Sequence, residues 1–220
     1  MVDTYKHKGM REKLIRILMD KGLEDPAVIE AMRAVPRHAF VEGAFAEAAY
    51  EDRPLPIGDS QTISQPLTVA FQTAMLKLKK GMKTLEIGTG SGYQAAVLCA
   101  MGAKVFSVER IAAHHRRAQR VLNDLELRVR LKRGDGSAGW QSYAPFDRIL
   151  VTAASPGIPE TLKKQLSIGG KLVIPVGERE RQQMAVVTRQ AQNEWEIDWR
   201  GWFQFVPLIG RHGWKADPDR

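Results

Sequence analysis

The run Leu85-Glu86-Ile87-Gly88-Thr89-Gly90-Ser91-Gly92-Tyr93 carries glycine at alternate positions between an apolar stretch and a helix-forming one. Without a Cβ, glycine lets backbone N–H groups and a helix N-terminus come close to a ligand, and an adenosine-like cofactor suits that turn. The spacing departs from the dinucleotide fingerprint G-x-G-x-x-G, because Tyr93 holds the place where a third glycine would pack helix against strand around a pyrophosphate. A nicotinamide dinucleotide therefore fits poorly. Glu109 ends the next apolar run about 20 residues after Gly88, where a carboxylate can accept hydrogen bonds from both ribose hydroxyls. Gly134-Asp135-Gly136 ends a third run and brings a second carboxylate to the same sheet edge. Each piece alone is common; in this order they describe one cofactor pocket. A methionine tail with a sulfonium fits it, although these residues leave other adenosine cofactors open.

A second constellation lies upstream. From Tyr50 to Gln65 the sequence YEDRPLPIGDSQTISQ is rich in proline, glycine and polar residues, which reads as a long ordered loop of the kind that carries function. It ends in Thr62-Ile63-Ser64, just before Pro66 opens a helix. Thr62 and Ser64 offer hydroxyl donors, and the helix start offers unpaired N–H groups with partial positive charge, a seat for an anion. On residue type alone Ser64 reads first as that helix's N-cap and second as a catalytic group, and both roles are compatible.

These residues need a scaffold, and the pattern supplies one. The spacing predicts helices over Lys6–Gly22, with Met10, Leu14, Ile17 and Leu18 on one face, and from Asp25-Pro26 to Pro36. A third is expected from Pro66 to Leu78. After Gly81 short apolar runs alternate with helical stretches, as in a parallel sheet with crossover helices. Strands are expected at Thr84–Ile87, Val105–Glu109, Val129–Lys132, Asp147–Thr152 and Leu172–Val176, with helices at Tyr93–Met101, Ile111–Leu125 and Pro159–Gln165. Beyond Gly177 only strands follow: Met184–Thr188, then Trp195, Ile197 and Trp199 in alternation, interrupted at Gly201 and resumed by Phe203 and Phe205. Trp214 and Lys215–Arg220 look frayed. The fold class is thus α/β, a doubly wound, mostly parallel Rossmann-like sheet with an N-terminal helical cap and C-terminal antiparallel strands. One domain is expected: cap and loop over 1–80, cofactor core over 81–177, strands over 178–214 and a tail over 215–220.

Residues and order together resemble the class I methyltransferases and, over roughly Met10 to Leu208, the protein-L-isoaspartate (D-aspartate) O-methyltransferase family. The motifs are Thr62–Pro66, Leu85–Tyr93, Val108-Glu109-Arg110, Gly134-Asp135-Gly136 with Gly139-Trp140, Pro145–Ala154, Gly169–Gly177 and Phe205-Val206-Pro207-Leu208. The resemblance implies transfer of a methyl group from S-adenosylmethionine, leaving S-adenosylhomocysteine, to the free carboxylate of L-isoaspartyl and possibly D-aspartyl residues in damaged proteins. It implies Ser64 as the catalytic residue. Cofactor contacts would come from Thr62, Ile63, Ser64, Gly88, Thr89, Gly90, Ser91, Gly92, Glu109, Arg110, Asp135 and Gly136, and the substrate wall from Ser64, Val206, Pro207 and Leu208. Where many members carry histidines after the Ser-x-Pro core, this chain has Leu67 and Val69, so contacts by an imidazole there are absent.

The 220 residues carry 33 basic and 25 acidic side chains, a net charge of +8 that suits nucleic acid and anionic peptides alike. A tRNA or DNA methyltransferase is the main rival, with Arg116, Arg117, Arg120, Arg128, Arg130, Lys132 and Arg133 as its basic face. Thr152-Ala153-Ala154-Ser155-Pro156 lacks the Asn or Asp followed by Pro-Pro-aromatic expected for a base-amine methylase, and there is no Pro-Cys nucleophile. A non-catalytic S-adenosylmethionine-binding protein is the second rival. Isoaspartyl proteins and peptides are the expected partners, without membrane or nucleic acid. The single cysteine, Cys99, reads as core packing and no metal is expected. With a charged start and no apolar stretch of the roughly 18 to 20 residues a span needs, the chain is expected in the cytoplasm.

Overall fold

In the computed structural model residues 2–216 are described. Six α-helices and nine strands follow one another as α1 (Tyr5–Asp20), α2 (Pro26–Ala34), β1 (Leu55–Gly58), β2 (Gln61–Ile63), α3 (Pro66–Met75), β3 (Lys83–Ile87), α4 (Tyr93–Ala100), β4 (Lys104–Glu109), α5 (Ala112–Asp124), β5 (Val129–Arg133), β6 (Phe146–Val151), α6 (Glu160–Lys164), β7 (Leu166–Gly177), β8 (Gln182–Ala191) and β9 (Glu194–Phe203). Seven strands form one sheet in the order β5-β4-β3-β6-β7-β8-β9. It is parallel from β5 through β7 and antiparallel from β7 to β9. The expected doubly wound α/β architecture is therefore present.

The central strands read as continuous apolar runs because both faces are covered. Leu150 and Val173 join α1 to α5 in one core; Ile149, Val151, Leu172 and Ile174 point the other way, to Leu162 of α6 and Phe146. The cap thus shares its core with the sheet. In α1 the buried stripe is Leu14, Ile15 and Leu18, so Ile15 occupies the place expected for Ile17. Asp25 caps α2 as its sequence promised, accepting from the N–H groups of Ala27 and Val28, with Pro26 in the first turn.

Three expectations are corrected. The segment 50–65 holds a hairpin of β1 and β2, whose turn residues Asp59 and Ser60 both have positive φ (49° and 55°). α3 stops at Met75 rather than Leu78, where the Arg148 guanidinium takes the carbonyls of Leu76 and Lys77. Trp214 is not frayed: its N–H donates to the Leu208 carbonyl at 2.7 Å, and it bridges back to Ile209. Of the expected tail, residues 217–220 lie outside the described residues. Gly201, where the alternation broke, sits at a bulge inside an otherwise continuous β9.

Candidate active site

β3, β4, β5 and β6 are parallel, so their C-terminal ends lie at one edge, where ligands of open α/β sheets bind. Gly88, Gly90 and Gly92 all have positive φ (94°, 51° and 92°), a path other residues rarely take. A Cβ on Gly88 would lie 2.6 Å from Thr152 Oγ1, which itself donates to the Gly88 carbonyl. Glu109, 6% exposed, holds the loop from the far side: one carboxylate oxygen accepts from the Gly90 N–H at 2.8 Å and the other from Ile111 at 2.7 Å. Each oxygen keeps a second lone pair for a ligand hydroxyl.

The cavity is lined by Thr62, Ile63, Ser64, Gly88, Thr89, Gly90, Ser91, Glu109, Arg110 and Gly136, and by Val206, Pro207 and Leu208. The structure thus gathers nearly every residue singled out in the sequence. Two stand back. Gly92 is buried under Ala118 and Leu122 of α5, opening α4. The Asp135 carboxylate turns to the C-terminal segment, accepting from the Ser137 N–H and hydroxyl at 2.9 and 2.6 Å and from the Arg211 N–H at 2.7 Å. Burial pushes its pKa up, but the Arg211 and Ser137 hydrogen bonds outweigh that and hold it below the usual carboxylate range.

The loop before α3 differs from expectation in one respect. Ser64 is not the cap of α3. Gln65 occupies the N-cap position without a side-chain cap bond, and the Leu67 N–H donates to Asp52 Oδ1 at 2.9 Å. The helix-end seat imagined for a substrate anion is thus taken in part by the chain's own carboxylate. Ser64 is released from capping and lines the cavity instead. Its backbone is fixed by Arg37, a side chain with no exposure that donates to the Ser64 and Ala49 carbonyls and stacks 4.7 Å from the centre of the Tyr93 ring.

Residues missed by sequence reasoning include Gln94 and Thr152, both at the cavity wall. Gln94 donates to Thr73, and its amide oxygen has no partner. Beneath the glycine loop Glu86 is wholly buried, with Ser107 linking it to Thr89. Burial raises its pKa to about 8, against the Ser107 hydrogen bond and assisted by the charge of Glu109. Part of the basic face imagined for nucleic acid is engaged internally: Arg130 lies over Phe106 and Tyr143, Lys132 over Trp140, and Arg117 faces Glu42. Burial pushes the Cys99 thiol up to about 12, consistent with packing rather than chemistry.

The sheet order, the glycine turn on β3 and the acid closing β4 make an adenosine-cofactor site on a Rossmann-like sheet, and with the family match that follows the class is that of S-adenosylmethionine-dependent methyltransferases. The model of the protein-L-isoaspartate(D-aspartate) O-methyltransferase family matches residues 9–213, and the chain belongs to that family. A protein-L-isoaspartate O-methyltransferase of Cytophaga hutchinsonii is 49% identical over 220 residues, covering 100% of both chains. A solved protein-L-isoaspartate O-methyltransferase superposes with TM-score 0.84 at 31% identity, covering 92% of this chain and 67% of that one. A Plasmodium falciparum structure described as a putative member, in complex with S-adenosyl-L-homocysteine, shares the fold at TM-score 0.80 and 24% identity, over 90% of this chain and 98% of that one. Among the described residues no helix is long and apolar enough to cross a membrane.

Proposed function

We propose that this chain, acting in the cytoplasm as one methyltransferase domain, esterifies the free carboxylate of L-isoaspartyl residues in damaged proteins and peptides, with Ser64 positioning that carboxylate. The observation that carries the reading is the placement of Thr62, Ile63 and Ser64 in the same cavity as the glycine loop, with Val206 to Leu208 in its wall. S-adenosylmethionine, when bound, supplies a methyl group on a sulfonium whose transfer to a carboxylate neutralises both charges. The acceptor is already an anion, so no general base is required. What remains for the protein is alignment and exclusion of water.

Glu109 would hold the ribose hydroxyls through its spare lone pairs, while its bonds to Gly90 and Ile111 fix the loop beside them. Thr89, Ser91, Arg110 and Gly136 complete that side, and Asp135 acts from behind Gly136 by bracing the segment that closes it. Ser64 and Thr62 donate hydroxyl hydrogen bonds that orient the acceptor. Val206, Pro207 and Leu208 form the wall against which the substrate backbone lies. The neighbouring amide nitrogen attacks the methyl ester carbonyl and closes a succinimide as methanol leaves with the amide proton, which an ionised carboxylate does not allow, and hydrolysis returns part of the succinimide as normal aspartate.

The deciding assay offers labelled methyl donor to an isoaspartyl peptide, its aspartyl twin, its D-aspartyl analogue and tRNA. Label in the isoaspartyl peptide and not in the aspartyl twin is expected. Label in tRNA alone would transfer the assignment to a nucleic-acid enzyme, and binding of the donor without turnover would leave a sensor.

A further inference from the structure

Beside the cofactor cavity runs a second groove that shares Thr62, Ser64, Thr152 and Val206 with it. Leu67 and Phe71 of α3 stand on one side and Trp202, Phe203 and Phe205 on the other. Trp202 is 56% exposed, a large apolar area for a side chain without a function in the free protein. The Arg181 guanidinium stacks 4.1 Å from its ring centre. A half-wet tryptophan of this kind is a typical anchor for a partner side chain, because covering the rest of its ring removes a large apolar area from water.

A polypeptide whose carboxylate reaches Ser64 can leave the reaction centre along this groove, since four residues belong to both spaces. The groove's apolar stretch is made by Leu67, Phe71 and Trp202, while Gln65, Glu180 and Arg181 also belong to the lining. Leu67 and Phe71 offer no hydrogen bonds, and a charged side chain lying on them would lose water without return. We propose that this groove seats a residue flanking the isoaspartate and selects an apolar or aromatic side chain, with Leu67 and Phe71 on one side and Trp202 on the other as the specificity-determining contacts. The inference rests on the isoaspartyl reading above and adds a sequence preference to it.

The test is a set of isoaspartyl peptides carrying Gly, Leu, Phe or Asp at each of the two positions on either side, assayed with the parent protein, Trp202→Ala and Leu67→Ser. At one position Leu or Phe should raise kcat/KM about tenfold over Gly, as expected for burying part of such a side chain, with most of the change in KM. Asp there should fall below Gly. Trp202→Ala and Leu67→Ser should each reduce the Leu-to-Gly ratio to about twofold or less, with melting temperatures recorded for both variants. A flat profile in the parent, a preference for Asp, or a preference that survives both substitutions would overturn the groove's role while leaving the isoaspartyl activity standing. Methyl transfer to none of the peptides would overturn both.

Discussion

Arg37, with no exposure to solvent, donates a hydrogen bond of 2.7 Å to the carbonyl of Ser64, 27 residues further along the chain. Burial pulls the guanidinium pKa down, yet an arginine remains charged under any ordinary condition; Nε and one terminal nitrogen donate to the Ala49 and Ser64 carbonyls, while the other terminal nitrogen is buried without a hydrogen-bond partner. The loop carrying the candidate catalytic serine is therefore tied by its backbone to the helical cap. Arg37→Met keeps the bulk and removes the donors. The expected loss is roughly 2 to 4 kcal/mol in folding free energy, from two buried charge-assisted bonds. Turnover should fall further than cofactor affinity. Denaturant titration with steady-state kinetics measures both; unchanged turnover would show that the loop holds itself.

Ser64 and Asp52 divide the roles that the sequence combined in one residue. Asp52→Ala should cost about 1 kcal/mol as a lost helix cap. Ser64→Ala should leave the melting temperature near that of the parent and lower methyl transfer about 10- to 100-fold through misalignment. An early-melting Ser64→Ala with parental turnover would return Ser64 to a structural role.

Glu109 accepts from Gly90 and Ile111 and keeps a spare lone pair on each oxygen, which the proposed function assigns to the ribose hydroxyls. Glu109→Ala is expected to raise the S-adenosylmethionine dissociation constant roughly 10- to 150-fold, the equivalent of about 1.5 to 3 kcal/mol in charged hydrogen bonds. Glu109→Gln, which keeps only one acceptor oxygen, should fall between parent and alanine. Isothermal calorimetry giving three equal constants would remove Glu109 from the site.

Glu86 predicts a pH dependence. Its folded pKa of about 8 stands above its ordinary 4.5, so the folded state binds the extra proton in that interval. Stability from this group is fully present below about pH 4.5 and is lost as pH rises through 8. Glu86→Gln does not titrate, so the melting temperature of the variant should gain on the parent's between pH 5 and 8, read by parallel thermal scans. A constant difference over that range would mean that Glu86 is ionised in the fold.

Gly210 tests the closing segment. A Cβ there would lie 2.1 Å from Asp135 Oδ1 and 2.6 Å from Ser137 Oγ. Gly210→Ala should push residues 209–212 outward and weaken cofactor binding by about tenfold, since the cavity wall includes Leu208 and Ile209. Parental affinity would show that the segment is not needed to hold the cofactor.

The parallel core was legible because short, mostly apolar runs alternate with helical stretches, even where β5 interleaves Arg130, Lys132 and Arg133 with Val129 and Leu131, and because glycine and acid mark where β3 and β4 end. The β1–β2 hairpin escaped notice because its strands are four and three residues long and its turn uses Asp59 and Ser60 rather than glycine. Asp52 as the cap of α3 lies 15 residues from Leu67, beyond the reach of any local capping pattern. Glu109 and Asp135 obey the same strand-end rule, yet one lines the cavity and the other holds the C-terminal segment. The difference comes from Gly210 and Arg211, about 75 residues downstream, which chain order alone does not bring near.

The wall built by Val206 to Ile209 depends on the last turns of the described chain: Ala154 pairs with Pro207, Trp214 bonds Leu208, and Arg211 and His212 bond Asp135 and Ser137. During synthesis the cofactor loop, the serine and both carboxylates emerge well before that wall exists. A nascent or prematurely released chain would hold the donor's loop but lack one side of the chamber. Competence for methyl transfer thus waits on residues 206–214, and a chain cut short before them would keep the glycine loop without the wall that faces the acceptor.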